Sequence, residues 1–224
     1  MLSKFIEELR QSKYYANIMG NHNVILLYVS GSRIIDITDE RSDYDLVAVV
    51  DESVSVKTEE FLTYNGRKVH WYYIPLTEFI AGKGRDSLRG YGAVLFANVK
   101  DETVIYVAPS YESVCKMLID NKEAIATNGC INVCMRYSCL IRSVVEAGEI
   151  LPQHHTKILG HLCVTSLAVT GEKLTDETRD YVRQLKRIRW QPVSDEAKRW
   201  CVERLTMLKY AADTGNVNMA HSIN

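Results

Sequence analysis

The sequence carries almost no net charge: its 224 residues hold 27 Lys and Arg against 28 Asp and Glu, a formal balance of −1. Near-neutrality argues against a surface given over to the phosphate backbone of nucleic acid and leaves room only for a local basic patch. Long hydrophobic runs are also missing. No apolar stretch approaches the roughly 18 to 20 residues that span a bilayer, and Met1 to Arg10 reads as an amphipathic helix rather than a signal peptide. A cytoplasmic location with no membrane partner is therefore expected. The six cysteines (115, 130, 134, 139, 163 and 201) include no C-x-x-C pair, which removes the zinc-ribbon and redox-dithiol readings. They fall in apolar, helical surroundings and read as reduced core thiols, with a zinc site built from Cys130, Cys134 and His161 as the minor alternative. Internal repeats and low-complexity stretches are absent. What remains, with 46% hydrophobic and 25% charged residues, is a globular composition, long enough for one large or two modest domains.

Periodicity divides the chain. Leu2, Phe5, Ile6 and Leu9 share one helical face in a segment expected to stop near Gly20-Asn21. Val24 to Val29 and Leu46 to Val50 are continuous apolar runs of strand length and read as interior strands buried on two faces. Phe61 to Tyr64 and Lys68 to Ile74 flank Asn65-Gly66, a pair that tolerates the positive φ of a tight primed turn, so a hairpin joins a mixed sheet. Thr103 to Val107 is a further short strand, after a polar, glycine-punctuated passage from Gly82 to Gly92. From Tyr111 the pattern turns helical, with candidates near 111–126, 130–147, 155–170, 175–189 and 194–213 separated by Gly129, Gly148 to Pro152, Gly171 and Pro192. The expected fold is α+β: a mixed-sheet domain with packing helices over 1–109, followed by an all-helical domain over 110–224.

The chemistry concentrates in Val29-Ser30-Gly31-Ser32-Arg33 and, after ten residues counted from Arg33 to Ser42, in Asp43-Tyr44-Asp45 at the head of the second apolar run. Residues i and i+2 of a strand point to the same face, so Asp43 and Asp45 converge their carboxylates. Two such groups repel each other and lose hydration unless a cation lies between them. Oxygen ligands favour a hard ion such as Mg²⁺, which completes its shell with water and substrate phosphates. The Gly31-Ser32 turn supplies the complement: glycine permits close backbone approach, and exposed N–H groups with a serine hydroxyl hold phosphate oxygens. Arg33, or the segment 34–41, is expected to begin a helix whose positive end faces the same anion.

This arrangement resembles the DNA polymerase beta-like nucleotidyltransferase superfamily, whose signature is a Gly-Ser after a first strand and an Asp-x-Asp about ten residues later at a second. The motif covers residues 31–32 and 43–45; by order of elements the likeness extends over roughly 24 to 107. It implies that Asp43 and Asp45 help hold two Mg²⁺ ions, that Gly31 and Ser32 bind the β- and γ-phosphates of an NTP with charge from Arg33, and that a nucleoside monophosphate passes to an acceptor hydroxyl as pyrophosphate leaves. The acceptor stays open between a small molecule such as an aminoglycoside, a protein side chain and a nucleic-acid 3′ end, with the near-neutral charge favouring the first two.

The family commonly carries a third carboxylate on the next long strand. Here that strand reads Lys68-Val69-His70-Trp71-Tyr72-Tyr73-Ile74, and the expected acid position holds His70. An imidazole can serve as base or ligand, or His70 is a half-buried strand residue and Glu59, Glu60 or Asp51 substitutes. The gap leaves a second function open, a catalytically silent nucleotide-binding module of regulatory or antitoxin type; a helical interaction protein scaffolded by the sheet is a third. Arg85 and Arg89, with Lys83, cluster in the 82–92 loop, where they either fold over a triphosphate or face solvent. The tract Arg179 to Lys209 holds nine basic residues against four acidic ones, and Arg179, Arg183 and Arg187 recur at i+4; the stripe is either a guide for an RNA acceptor or a charged helix surface. His154, His155 and His161 are read as structural or exposed, and Trp71, Tyr72 and Tyr73 as sheet packing.

Overall fold

A computed structural model describes residues 2–21, 23–38, 42–51, 59–82 and 93–214. The fold is α+β, a five-stranded mixed sheet followed by a helical half. Strands β1 (Val24–Ser30), β2 (Tyr44–Val50), β3 (Glu59–Tyr64), β4 (Arg67–Pro75) and β5 (Val104–Val107) lie in the order β3-β4-β2-β1-β5. β1 pairs antiparallel with β2 and β5, β2 runs parallel to β4, and β3 closes the antiparallel hairpin with β4. Asn65 (φ 49°) and Gly66 (φ 72°) make the turn between β3 and β4, as the Asn-Gly pair predicts. Every residue of β1 is buried, and in β2 only Asp45 is not.

Alternation sorts the strands onto two faces. Leu46, Ala48 and Val50 of β2, with Trp71 and Tyr73 of β4, pack against Phe5, Ile6 and Leu9 of α1 (Leu2–Arg10) and Ile18 of α2 (Lys13–Asn21). The N-terminal segment is thus two helices rather than one: Ser12 Oγ accepts a hydrogen bond from the Tyr15 N–H at 3.1 Å and starts the second. Short α3 (Gly31–Ile34) follows β1 directly, and α4 (Leu76–Ile80) follows β4. On the opposite face Val47, Val49, Tyr72 and Ile74 meet Phe79 of α4, Phe96, and Cys115, Leu118 and Ile125 of α5 (Glu112–Asp120) and α6 (Lys122–Arg136).

Helices α7 (Ser138–Ala147), α8 (Ile158–Thr170), α9 (Asp176–Lys186) and α10 (Asp195–Thr214) complete the second half. The expected break at Gly129 does not occur, and the chain bends instead at Asn121 and Tyr137. Gly129 lies inside α6 because a Cβ there would come within 2.9 Å of the Val94 backbone nitrogen; its role is close packing, not termination. Ile35, Ile37, Val94 and Leu95, all before Pro109, belong to the hydrophobic core of α6 to α10. Five cysteines are buried and Cys139 is exposed, all unbridged. No helix among the described residues is long and apolar enough to cross a membrane.

Candidate active site

The strand register places four side-chain positions in one row across the sheet. Ser30 of β1 pairs with Asp45 of β2, Asp45 with His70 of β4, and His70 with Phe61 of β3. Asp45 lies on the face that Val47 and Val49 present to the helices, at the end of the strand where that apolar cover stops. A cleft of about 560 Å³ opens there, lined from the sheet by Ser30, Gly31, Ser32, Asp43, Asp45, Lys68, His70, Tyr72 and Phe61. The helical half lines it with Lys157, Ile158, His161, Lys186, Arg187, Trp190 and Gln191. Asp43, Asp45, Gly31, Ser32 and His70 therefore meet in one cavity.

Gly31 has φ +66°, and a Cβ on it would lie 1.9 Å from Asp45 Oδ2. The glycine is required by its neighbour: the Asp45 carboxylate occupies the space where any side chain at 31 would go, and the left-handed backbone favours glycine as well. Burial pushes the Asp45 carboxyl above the usual carboxylate range; His70 and Lys186 pull it back, Asp43 adds to the rise, and the Tyr72 hydroxyl, 3.5 Å from Oδ1, favours the charged form. The site thus carries two neighbouring carboxylates, one of them poorly hydrated.

His70 stands between two acids. Its Nε2 lies 3.0 Å from Glu59 Oε2 and its Nδ1 3.8 Å from Asp45 Oδ1, while Phe61 stacks on one side of the ring at 3.7 Å and Tyr72 lies 3.9 Å away. Of the three acids considered as substitutes, Glu59 alone contacts His70 here. Glu60 accepts from the Tyr73 hydroxyl at 3.4 Å, and Asp51, beyond the other end of β2, accepts from the Tyr111 hydroxyl.

Arg33 does not line the cleft. Its guanidinium stacks on the Tyr44 ring at 3.6 Å and donates to the carbonyls of Asp43 (3.2 Å) and Ser42 (2.9 Å), while Phe5 stacks against Tyr44 at 3.5 Å. Arg33 braces the approach to Asp43 instead of facing an anion. Arg85 and Arg89, with Lys83, lie outside the described residues. In the basic stripe, Arg179 donates to the Ile35 carbonyl at 3.4 Å and Arg183 to the Asp36 carbonyl at 3.0 Å; of its three arginines only Arg187 lines the cleft.

Several cleft residues escaped the sequence reading. Lys157 just before α8, His161 within it and Lys186 at the end of α9 are remote in sequence from the aspartates, and no local motif marks them as cleft residues. Gly160 is the one trace: a Cβ on it would lie 2.9 Å from Lys186 Cγ, so its absence lets the lysine stem pass close to α8. His161, expected to be structural or exposed, lines the cleft, where burial first, then the Lys186 and Lys157 ammonium groups, push its imidazole down to about 3. It is neutral at physiological pH. His154 is structural, with Nε2 2.7 Å from Ser143 Oγ and Nδ1 accepting from the Leu151 N–H at 3.2 Å. Trp71 and Tyr73 pack the sheet, whereas Tyr72 faces the cleft.

The donor set fits a hard divalent cation. Among the described residues no three His, Cys, Asp or Glu side chains are grouped to hold a metal unaided, but Mg²⁺ commonly takes only one or two carboxylates and draws its other ligands from water and phosphate. Asp43 and Asp45 offer that pair, with Lys157, Lys186 and Arg187 lining the other side of the cleft. No family model matches the chain, and no curated protein matches it. Among solved structures the chain is similar to a nucleotidyltransferase-like protein from Exiguobacterium sibiricum 255-15, at 14% identity and a TM-score of 0.35, over 97% of this chain and 78% of that one.

Proposed function

We propose that the chain is a nucleotidyltransferase that moves a nucleoside monophosphate from an NTP to an acceptor hydroxyl. The observation that carries this reading is the shared cleft: the Asp43 and Asp45 carboxylates on one side, Lys157, Lys186 and Arg187 on the other, and the Gly31-Ser32 turn against Asp45. Asp43 and Asp45 would hold Mg²⁺, which supplies charge neutralisation on the phosphates and activation of the attacking oxygen. Ser32 and the backbone N–H groups of the turn bind the β- and γ-phosphates, and the lysines compensate their charge. The acceptor oxygen bonds to the α-phosphorus, the bond to the β-phosphate oxygen breaks, and pyrophosphate departs with that electron pair.

The acceptor proton needs a destination, and His70 is the candidate base. With Glu59 accepting from Nε2–H, the imidazole is held with its Nδ1 lone pair toward the Asp45 side of the cleft. Glu59 is then the positioning acid, one strand further out than the family pattern puts a third carboxylate. Residues 1–109 supply the aspartates, the Gly31-Ser32 turn and His70, and 110–224 supply the cationic wall of the same cleft together with the surface that selects the acceptor, in a cytoplasmic setting where NTP is supplied.

The test is incubation of the full chain with Mg²⁺ and each labelled NTP, following pyrophosphate release and self-labelling across small-molecule, protein and RNA acceptors. Turnover abolished by Asp45→Asn supports the enzyme. Nucleotide binding without turnover across the panel favours the silent module, the second reading, which rests on His70 standing where the family pattern has a third carboxylate. No binding of any nucleotide discards both.

A further inference from the structure

Two of the large apolar side chains most exposed on the described surface border this one cleft. Phe61 is 68% exposed and Trp190 69% exposed, and both line the cavity. They belong to opposite walls: Phe61 to the edge strand β3, and Trp190 to the turn that follows α9, where its N–H bonds to the Arg187 carbonyl at 2.8 Å. Neither belongs to a hydrophobic core cluster, and aromatic side chains that line a cavity beside a few polar groups are the usual walls of a small-molecule site.

Their placement along the row decides which ligand. Ser30, Asp45, His70 and Phe61 occupy successive strands, so Phe61 lies two strand spacings from Asp45, roughly 10 Å, on the side away from the Gly31-Ser32 turn. With the leaving pyrophosphate at the turn and the α-phosphorus beside the aspartates, in-line attack reserves the row next to His70 for the acceptor oxygen. The nucleoside leaves the α-phosphorus at an angle to that row, toward the cleft mouth that Phe61 and Trp190 border. The inner face of the Phe61 ring is already taken by His70, and the side chain is otherwise largely exposed. Trp190 adds a second π-surface beside Arg187.

We infer that Phe61 and Trp190 form the nucleobase subsite, which holds the base by stacking from the two walls and so prefers purines to pyrimidines while tolerating either purine. Every base has a π-face, and stacking strength rather than hydrogen-bond readout sets the order. The inference rests on the nucleotide reading of the cleft, and the experiment separates the two. Binding to the full chain is measured calorimetrically in Mg²⁺ with ATP, GTP, UTP and inorganic triphosphate, for the wild type and for Trp190→Ala, Phe61→Ala and Trp190→Phe. Trp190 emission gives a second readout, because Trp71 and Trp200 are buried.

The expected result is tighter binding of ATP and GTP than of UTP, with a roughly ten- to hundredfold loss for the nucleotides in each alanine variant. Trp190→Phe retains most of the affinity, triphosphate binds all four proteins alike, and ATP quenches the exposed tryptophan. Nucleotide binding unaffected by either alanine, or equal losses for ATP and triphosphate, overturns the base subsite and leaves the function standing. A wild-type protein that binds none of these ligands overturns both.

Discussion

At Gly31 two requirements coincide: a backbone at φ +66° and a carboxylate of Asp45 where a side chain would stand. Gly31→Ala should therefore lose about 2 to 4 kcal/mol of stability, from left-handed strain and overpacking together. The overlap is chiefly with Asp45 Oδ2 and Cγ, so the Gly31→Ala/Asp45→Ala double variant should lose less than the sum of the two singles. Urea midpoints for the four proteins of that cycle measure the coupling, and strict additivity would show that the contact is not made. The dipeptide Gly31-Ser32 and the aspartate pair line one cleft, with Asp45 on β2 and Asp43 one residue before the strand begins, so spacing made their meeting legible while strand parity applies to Asp45 alone. Their physical relation was only half legible: glycine reads as a close approach for phosphate, and the structure adds that Asp45 itself fills the approach. Arg33 shows the limit of adjacency, since a guanidinium next to the Gly31-Ser32 turn meets two carbonyls and an aromatic ring instead of the cleft.

Elements were read best where one signal dominated. The apolar runs of β1 and β2 and the Asn65-Gly66 turn need no tertiary information, and all three stand as expected. The helix junctions at Asn121 and Tyr137 carry neither proline nor glycine, so nothing local announced them, while Gly129 signalled a break that packing on Val94 overrode. The α8–α9 contact is the element-scale counterpart of the Gly31 fit. Gly160 lets Lys186 and the Val182 carbonyl approach, with a Cβ falling 2.9 and 3.0 Å from them. An alanine normally gains about 1 kcal/mol over glycine inside a helix. Gly160→Ala should instead destabilise the protein by roughly 1 kcal/mol, as overpacking outweighs propensity, and weaken ATP binding several-fold by displacing Lys186. Thermal melts and calorimetry on the one variant check both, and a stabilised protein of unchanged affinity would refute this account of α9.

For the whole molecule, the decisive fact is that the hydrophobic cores ignore the Pro109 boundary. Ile35, Ile37, Val94 and Leu95 are buried with α6 to α10, and Cys115, Leu118 and Ile125 are buried against the sheet, while Arg179 and Arg183 grip carbonyls just past α3. Urea unfolding of the full chain should accordingly be a single transition. Far-UV circular dichroism and tryptophan emission, which samples Trp71 in the sheet and Trp200 among the helices, should coincide. Residues 1–109 alone should give no cooperative transition, and two separated transitions in the full chain would contradict this. The strand β2 has a further consequence. It pairs antiparallel on one side and parallel on the other, and a slip of one position would swing Asp45 toward the aromatic packing around Trp71 and bring Leu46 out into the cavity. Register thereby ties the cleft to the core: a misaligned chain forfeits its apolar packing along with the placement of Asp45, so the population divides between molecules with the cleft assembled and unfolded ones, with no stable misaligned form between them.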